Sequence, residues 1–309
     1  MSAATLTKSI RPPSVRQYWT VPLFTDLVLN GASIMPGDYV KVVATSLWYE
    51  CISPEEYFPL TAGFTQATKG FETNFADLVG EALADTDATV TLAGSGLRIH
   101  GQGIAETDSG VTVANIAGGP TATCTTTDEV AHTIALSFGG NTEMWTPATN
   151  GPYNVYAEVA MSSAITLRAF FLGFLGAMAD ALDPALTYAT TVLTLVQDNL
   201  QGLTYSSELT DADRIYAAYN NADGAASIAT TAAGVDTGSN FPAAGTYVKL
   251  LVRVEPDGTM KSYVDGTLVS TIPSAAATSV AVNPVMYLES NSTAVKSMLV
   301  RKFAAWSEA

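Results

Sequence analysis

Val248-Lys249-Leu250-Leu251-Val252-Arg253-Val254, Glu255-Pro256-Asp257-Gly258, Thr259-Met260-Lys261-Ser262-Tyr263-Val264, Asp265-Gly266: residues 248–266 read as strand, turn, strand, turn. Val248, Leu250, Val252 and Val254 alternate with Lys249, Leu251 and Arg253, the period of a strand with one face toward a core. Glu255-Pro256-Asp257-Gly258 places proline where its fixed φ starts a turn and glycine where the turn closes. Asp265-Gly266 is a tight hairpin signal, and Thr267 to Ser270 continues a three-stranded meander.

Outward from this meander the same texture holds. Pro284 to Glu289 and Met298 to Trp306 read as closing strands. Upstream, Tyr153 to Val159 alternates cleanly, whereas Ile165 to Leu175 and Tyr188 to Val196 are continuously apolar and predict central strands covered on both faces. Thr210 to Tyr219 admits a helix through a capping-box-like Thr210 and Asp213, but a loop followed by a strand over Arg214 to Tyr219 suits its β surroundings better. Thr89 to Leu92, Leu97 to His100 and Val111 to Val113 are short runs separated by Gly and Asp, the spacing of a sandwich or barrel.

The expected fold is therefore all-β: a jelly-roll β-sandwich over residues 71–309, preceded by a small β-containing segment at 26–70 and an extended arm at 1–25. The arm stands apart in composition. It carries Lys8, Arg11 and Arg16 and no acid, so a +3 segment precedes a body of −18 within a net charge of −15. Arg11-Pro12-Pro13-Ser14 forbids a regular helix. Tyr18, Trp19, Val21, Leu23 and Phe24 are costly to leave in water and call for a surface to pack on.

Composition limits function. Only 14% of residues are charged, with 46 Ala and 39 Thr in their place, and the hydrophobic fraction of 48% supports a large core. Strong acidity argues against nucleic acid as a general partner. The longest apolar stretch, Ala169 to Ala179, is too short for a membrane span, and the start lacks the apolar core of a secretion signal, so synthesis in the cytoplasm is expected. Cys51 and Cys124 are too few for a disulfide framework or a cysteine-rich zinc site; two buried thiols or a single bridge are both open.

A pattern across the second half resembles the concanavalin A-like (laminin G-like) jelly roll of structural proteins in tailed-bacteriophage virions. The residues that carry the resemblance are Gly202 to Tyr205, Arg214 to Tyr219, Gly245 to Val254, Asp257 to Gly266 and Phe303 to Trp306, and it covers about residues 150–306. The resemblance implies a capsid decoration or cement protein. Its partners would be the major capsid protein and sister subunits in a homo-oligomer, with a trimer suited to a three-fold site, and its location the capsid surface. Lys8, Arg11, Arg16, Tyr18, Trp19 and Phe24 are then the candidate docking residues, the cations finding an acidic neighbour and the aromatics anchoring to it.

Catalysis finds little footing in the sequence. Glycosidases built on this jelly roll carry Glu-x-Asp-x-Glu or Glu-x-Asp-x-x-Glu strands, which set carboxylates on one sheet face; no such string occurs. Glu55 and Glu56 are adjacent and point to opposite faces of any strand. His100 and His132, the only imidazoles, lack a Gly-x-Ser-x-Gly elbow and read as surface or satisfied core histidines. No catalytic residue, cofactor or metal is therefore assigned. Asp85-Thr86-Asp87 and Asp211-Ala212-Asp213 leave calcium as a minor alternative. The other functional reading is a glycan-binding, lectin-like module of a tail or appendage, with Trp48, Tyr49, Trp145 or Tyr219 stacking on sugar rings.

Overall fold

The computed structural model describes residues 97–101, 109–116, 119–138, 145–176, 185–189, 192–197, 199–209, 211–221 and 235–308. It also describes Phe75 and the strand backbones at 7–9, 18–21, 39–42, 47–53, 56–60, 70–72, 82–83 and 90–91. The chain divides into two units, one of Met1–Thr68 with the short segment Asp265–Thr267 and one of Lys69–Val264 with Leu268–Ala309.

The first unit holds a five-stranded sheet of β1 (Thr7–Ser9), β2 (Tyr18–Val21), β3 (Tyr39–Val42), β4 (Leu47–Ser53) and β5 (Glu56–Leu60), in that order. All pairs are antiparallel except β2 with β3. Lys8 lies opposite Trp19, and the sheet draws strands from both sides of residue 25.

The second unit contains β6 (Gly70–Glu72), β7 (Ala82–Leu83), β8 (Val90–Thr91), β9 (Leu97–His100), β10 (Gly110–Ile116), β11 (Gly119–Thr125) and β12 (His132–Phe138). Next come β13 (Tyr153–Met161), β14 (Arg168–Leu175), β15 (Leu186–Ala189), β16 (Val192–Leu195), β17 (Leu200–Ser206) and β18 (Arg214–Asn220). β19 (Val235–Asn240), β20 (Val248–Val254), β21 (Met260–Val264), β22 (Thr267–Ile272), β23 (Asn283–Ser290) and β24 (Ser297–Ser307) complete it. All of these strands but β15 and β16 make a jelly-roll sandwich of two antiparallel sheets. The nine-stranded sheet runs β22-β21-β20-β13-β24-β11-β10-β7, with β6 also on β24; the eight-stranded sheet runs β19-β18-β17-β14-β23-β12-β9-β8.

The two sheets meet across one large core. Phe303 of the nine-stranded sheet stacks on Phe138 of the eight-stranded sheet, with centroids 4.8 Å apart, and Tyr153 meets Phe174 edge-on at 4.6 Å. Such pairs add to the burial of large apolar area. β20 fulfils its alternation: Val248, Leu250, Val252 and Val254 are buried and the residues between them are not. At the first turn the Gly258 N–H donates to the Glu255 carbonyl (3.0 Å), and the Thr259 N–H donates to Asp257 Oδ1 (2.9 Å). Asp265 and Gly266 both take positive φ (49° and 80°), the geometry that matches a two-residue turn to strand twist. Arg214–Asn220 is a strand and not a helix, in keeping with its β surroundings.

One expectation fails. Tyr188 to Val196 is not a central strand: β15 and β16 form a separate two-stranded hairpin, Leu186 opposite Leu195. The run is apolar because the hairpin packs on the outer face of the eight-stranded sheet, and not because sheet neighbours flank it. Continuous hydrophobicity reports burial and cannot by itself distinguish these two arrangements. Cys124 is a free, fully buried thiol, and burial pushes it up to about 12. The side chain of Cys51 lies outside the described residues.

Candidate functional site

Because successive side chains on a strand point to opposite faces, register assigns each residue of the eight-stranded sheet to one face. On β14, Phe170, Leu172 and Phe174 enter the main core, while Ala169, Phe171 and Leu175 join a second cluster on the outer face. Cross-strand pairing extends this into rows. Thr133, Glu289, Ala169 and Ser206 form one. His100, Ala135, Tyr287, Phe171, Thr204 and Tyr216 form the next. Arg98, Ser137, Val285, Gly173, Gly202 and Ala218 form the third.

The β15–β16 hairpin covers this face, with Ala185, Leu186, Tyr188 and the half-buried Leu195 in the same cluster. Beneath it, Phe171 stacks on Tyr287 at 5.4 Å. Gly173 and Gly202 lie opposite each other because the Phe171 ring lies across them; a Cβ on Gly202 would come within 2.5 Å of that ring. Glycine in a strand interior marks such a close approach.

Polar groups gather at one end of the covered face. Thr204 donates to the Phe170 carbonyl (2.9 Å), so its Oγ1 accepts from the Tyr188 hydroxyl at 2.5 Å. Glu289, 5% exposed, projects from the row beside Tyr287, and its Oε2 has no hydrogen-bond partner. Burial, reinforced by the charge of Glu208, pushes its carboxyl up to about 8. Burial also raises Glu208, whose backbone N–H is held by Ser206 Oγ at 3.2 Å. Tyr188 and Tyr287 are both raised by burial and stay neutral, and the charge of Glu289 acts on each in the same direction. The chemical outcome is a carboxyl that keeps its proton at neutral pH and can donate rather than only accept.

The expected site residues fall elsewhere. Lys8, Tyr18 and Trp19 lie on β1 and β2; their side chains, and Arg11, Arg16 and Phe24 altogether, lie outside the described residues. Trp48 and Tyr49 are on β4 with side chains likewise outside. Trp145 is not open to a sugar: it is 5% exposed, stacked on Tyr153 at 5.9 Å, and Tyr219 packs partly buried against the main core.

His100 is buried with Nε2 2.6 Å from Ser137 Oγ, and His132 Nδ1 is 2.9 Å from Thr127 Oγ1. Asp85 and Asp87 lie outside the described residues. Asp211 and Asp213 occupy the turn before β18, where the Asp211 carbonyl accepts from Arg214 N–H and Asp213 Oδ2 accepts from Asn240. Asp213 also borders a shallow rim groove of about 430 Å³ with Ile165, Thr166, Leu167, Ser207 and Ala212. No group of three or more His, Cys, Asp or Glu side chains suited to a metal forms among the described residues.

The Glu289, Glu208 and Tyr188 cluster leaves little trace in the sequence. A charged residue ending the apolar run Pro284 to Glu289 is its one visible sign.

No protein-family model matches the chain, and no curated protein matches it. Among solved structures, an alginate lyase, Aly36B, bound to an alginate trisaccharide is 13% identical, with TM-score 0.47 over 78% of this chain and 99% of that one. The carbohydrate recognition domain of Emp47p is 10% identical, with TM-score 0.45 over 80% of this chain and 100% of that one. A protein of unknown function from Shewanella oneidensis MR-1 is 9% identical, with TM-score 0.46 over 80% and 90%.

Proposed function

We propose that the protein is a structural component of a tailed-bacteriophage virion, decorating or cementing the capsid by bridging capsomers through residues 1–25. The observation that carries this reading is the sealed outer face of the eight-stranded sheet. Phe171, Tyr287 and Leu186 make it a second core, so the sandwich commits both faces of that sheet to its own packing. A scaffold of this kind leaves its rims, the charged outer face around β20 and its basic N-terminal segment for contacts. The charge split at residue 25 and the aromatics Tyr18, Trp19 and Phe24 support docking to an acidic neighbour. In this role the protein performs no reaction and needs no cofactor, and its partners are the major capsid protein and sister subunits.

The test adds the full chain, and a chain lacking residues 2–25, to capsids that lack it, and counts bound copies per capsid by cryo-electron microscopy. Strong occupancy for the full chain and its loss on truncation are expected; unchanged occupancy sinks the proposal. Failure of the full chain to bind, with binding on a glycan array instead, would establish the lectin-like role.

A further inference from the structure

We propose that the β15–β16 hairpin is a strap over the outer face of the eight-stranded sheet, and that a proton on Glu289 holds it closed. The strap is built to move as a unit. Its ladder closes on itself, and the Val196 N–H bonds the Ala185 carbonyl (2.9 Å) within the same element. Its grip on the sheet is made by side chains: Ala185, Leu186, Tyr188 and Leu195 in the second cluster, and the Tyr188 hydroxyl on Thr204.

Glu289 lies on the covered face with Oε2 unpartnered. Among the described residues, neighbouring elements bring no cation to compensate an ionised form. β12 and β14 place Thr133 and Ala169 beside it, neither titratable. The β17–β18 connection brings a second carboxyl, Glu208. β15 and β23 bring Tyr188 and Tyr287, both neutral through the relevant range, and Tyr216 on β18 is raised as well. His100 stands in the next row, engaged with Ser137, and Arg98 is two rows away. Arg168 has the register of the main-core face, where its guanidinium bonds Ser297 and Ser163.

When the proton leaves for water, a carboxylate remains without a hydrogen bond for Oε2 and beside another acid. A buried charge in that position is strongly disfavoured against a hydrated one. Lifting the hairpin is the displacement that admits water while leaving both sheets paired. It uncovers the Phe171–Tyr287 stack.

Closed and open forms then differ in proton affinity. With the strap down, Glu289 keeps its proton up to about 8; with the strap lifted, it titrates in the ordinary carboxylate range. Opening is therefore coupled to proton release between those two values and indifferent to pH above the higher one.

The experiment is hydrogen exchange on the full chain from about pH 5 to about pH 9.5, each rate normalised to that of an unstructured peptide of the same sequence. A two-stranded hairpin off its sheet is only marginally stable, so its amides report the lifting: the opening constant of residues 186–189 and 192–195 should rise by up to about tenfold per pH unit, level off near about 8, and stay well above that of β20, which opens only with global unfolding. Glu289→Gln makes the opening constant independent of pH. Glu208→Gln removes the neighbouring charge that helps to raise Glu289, so the levelling-off moves to a more acidic pH. A pH-independent opening constant in the natural chain, or an equal rise in Glu289→Gln, overturns the proposal. Should Glu289→Gln fail to fold, a levelling-off unmoved by Glu208→Gln overturns it.

Discussion

The outer faces of the two sheets have opposite chemistry. On the nine-stranded sheet, Arg253 and Lys261 both bond Glu255 (2.9 and 2.7 Å), Arg253 also pairs with Glu308, and the Arg301 guanidinium lies 3.6 Å from the Tyr247 ring centre. On the eight-stranded sheet the corresponding face is Phe171, Tyr287, Val285 and Tyr216 under a hairpin. At β20 the nine-stranded sheet therefore has a dry side and a wet side, whereas the eight-stranded sheet at β14 has two dry sides. The contrast shows up along single strands: β20 is buried at every second residue and β14 at every residue.

Substitutions test that contrast. Phe171→Ala should cost about 3–5 kcal/mol in denaturant unfolding, because it empties the second core. Leu251→Ala, at a half-buried position of β20, should cost well under half of that; equal losses would mean the outer face is not a core. Gly202→Ala should cost about 1–3 kcal/mol, since the new methyl meets the Phe171 ring. Combining it with Phe171→Ala should recover part of that cost, which a double-mutant cycle would measure.

The buried carboxyl gives the third effect. Its folded-state value lies above the unfolded one, so its contribution is fully present below the ordinary carboxylate range. That contribution is lost as pH rises toward about 8, by roughly 1.4 kcal/mol per pH unit. Glu289→Gln should flatten this slope in thermal melts across the window. The smallest effect belongs to the wet face. Burial alone would raise Glu255, but Arg253 and Lys261 outweigh it and hold the carboxyl low, so this pairing is lost only in acid. Glu255→Gln should cost about 1 kcal/mol or less and lose its effect in high salt.

These differences explain what the sequence could disclose. Alternation at Val248 to Val254 encodes one buried face, and the turns at Pro256-Asp257-Gly258 and Asp265-Gly266 fix the register, so the meander is legible residue by residue. Ile165 to Leu175 is legible as doubly buried. Tyr188 to Val196 looks the same because a covering hairpin and a central strand satisfy the same demand for apolar residues. Glu208 and Glu289 are not legible as a pair: they are far apart in the chain, and only the order β17-β14-β23 brings them together. Carboxylates spaced along one strand can be seen in a sequence, whereas these two meet across three strands.

The positions of β23 and β24 bear on how the chain is made. β23 sits between β14 and β12, and β24 between β13 and β11, so the last two strands are interior members of their sheets. A ribosome extending this chain holds two half-sheets with open edges until Asn283 and beyond emerge. At about 5–20 residues per second that exposure lasts seconds. Each sheet is therefore closed only once β23 and β24 have emerged, and until then the nascent chain carries open strand edges that invite wrong pairing.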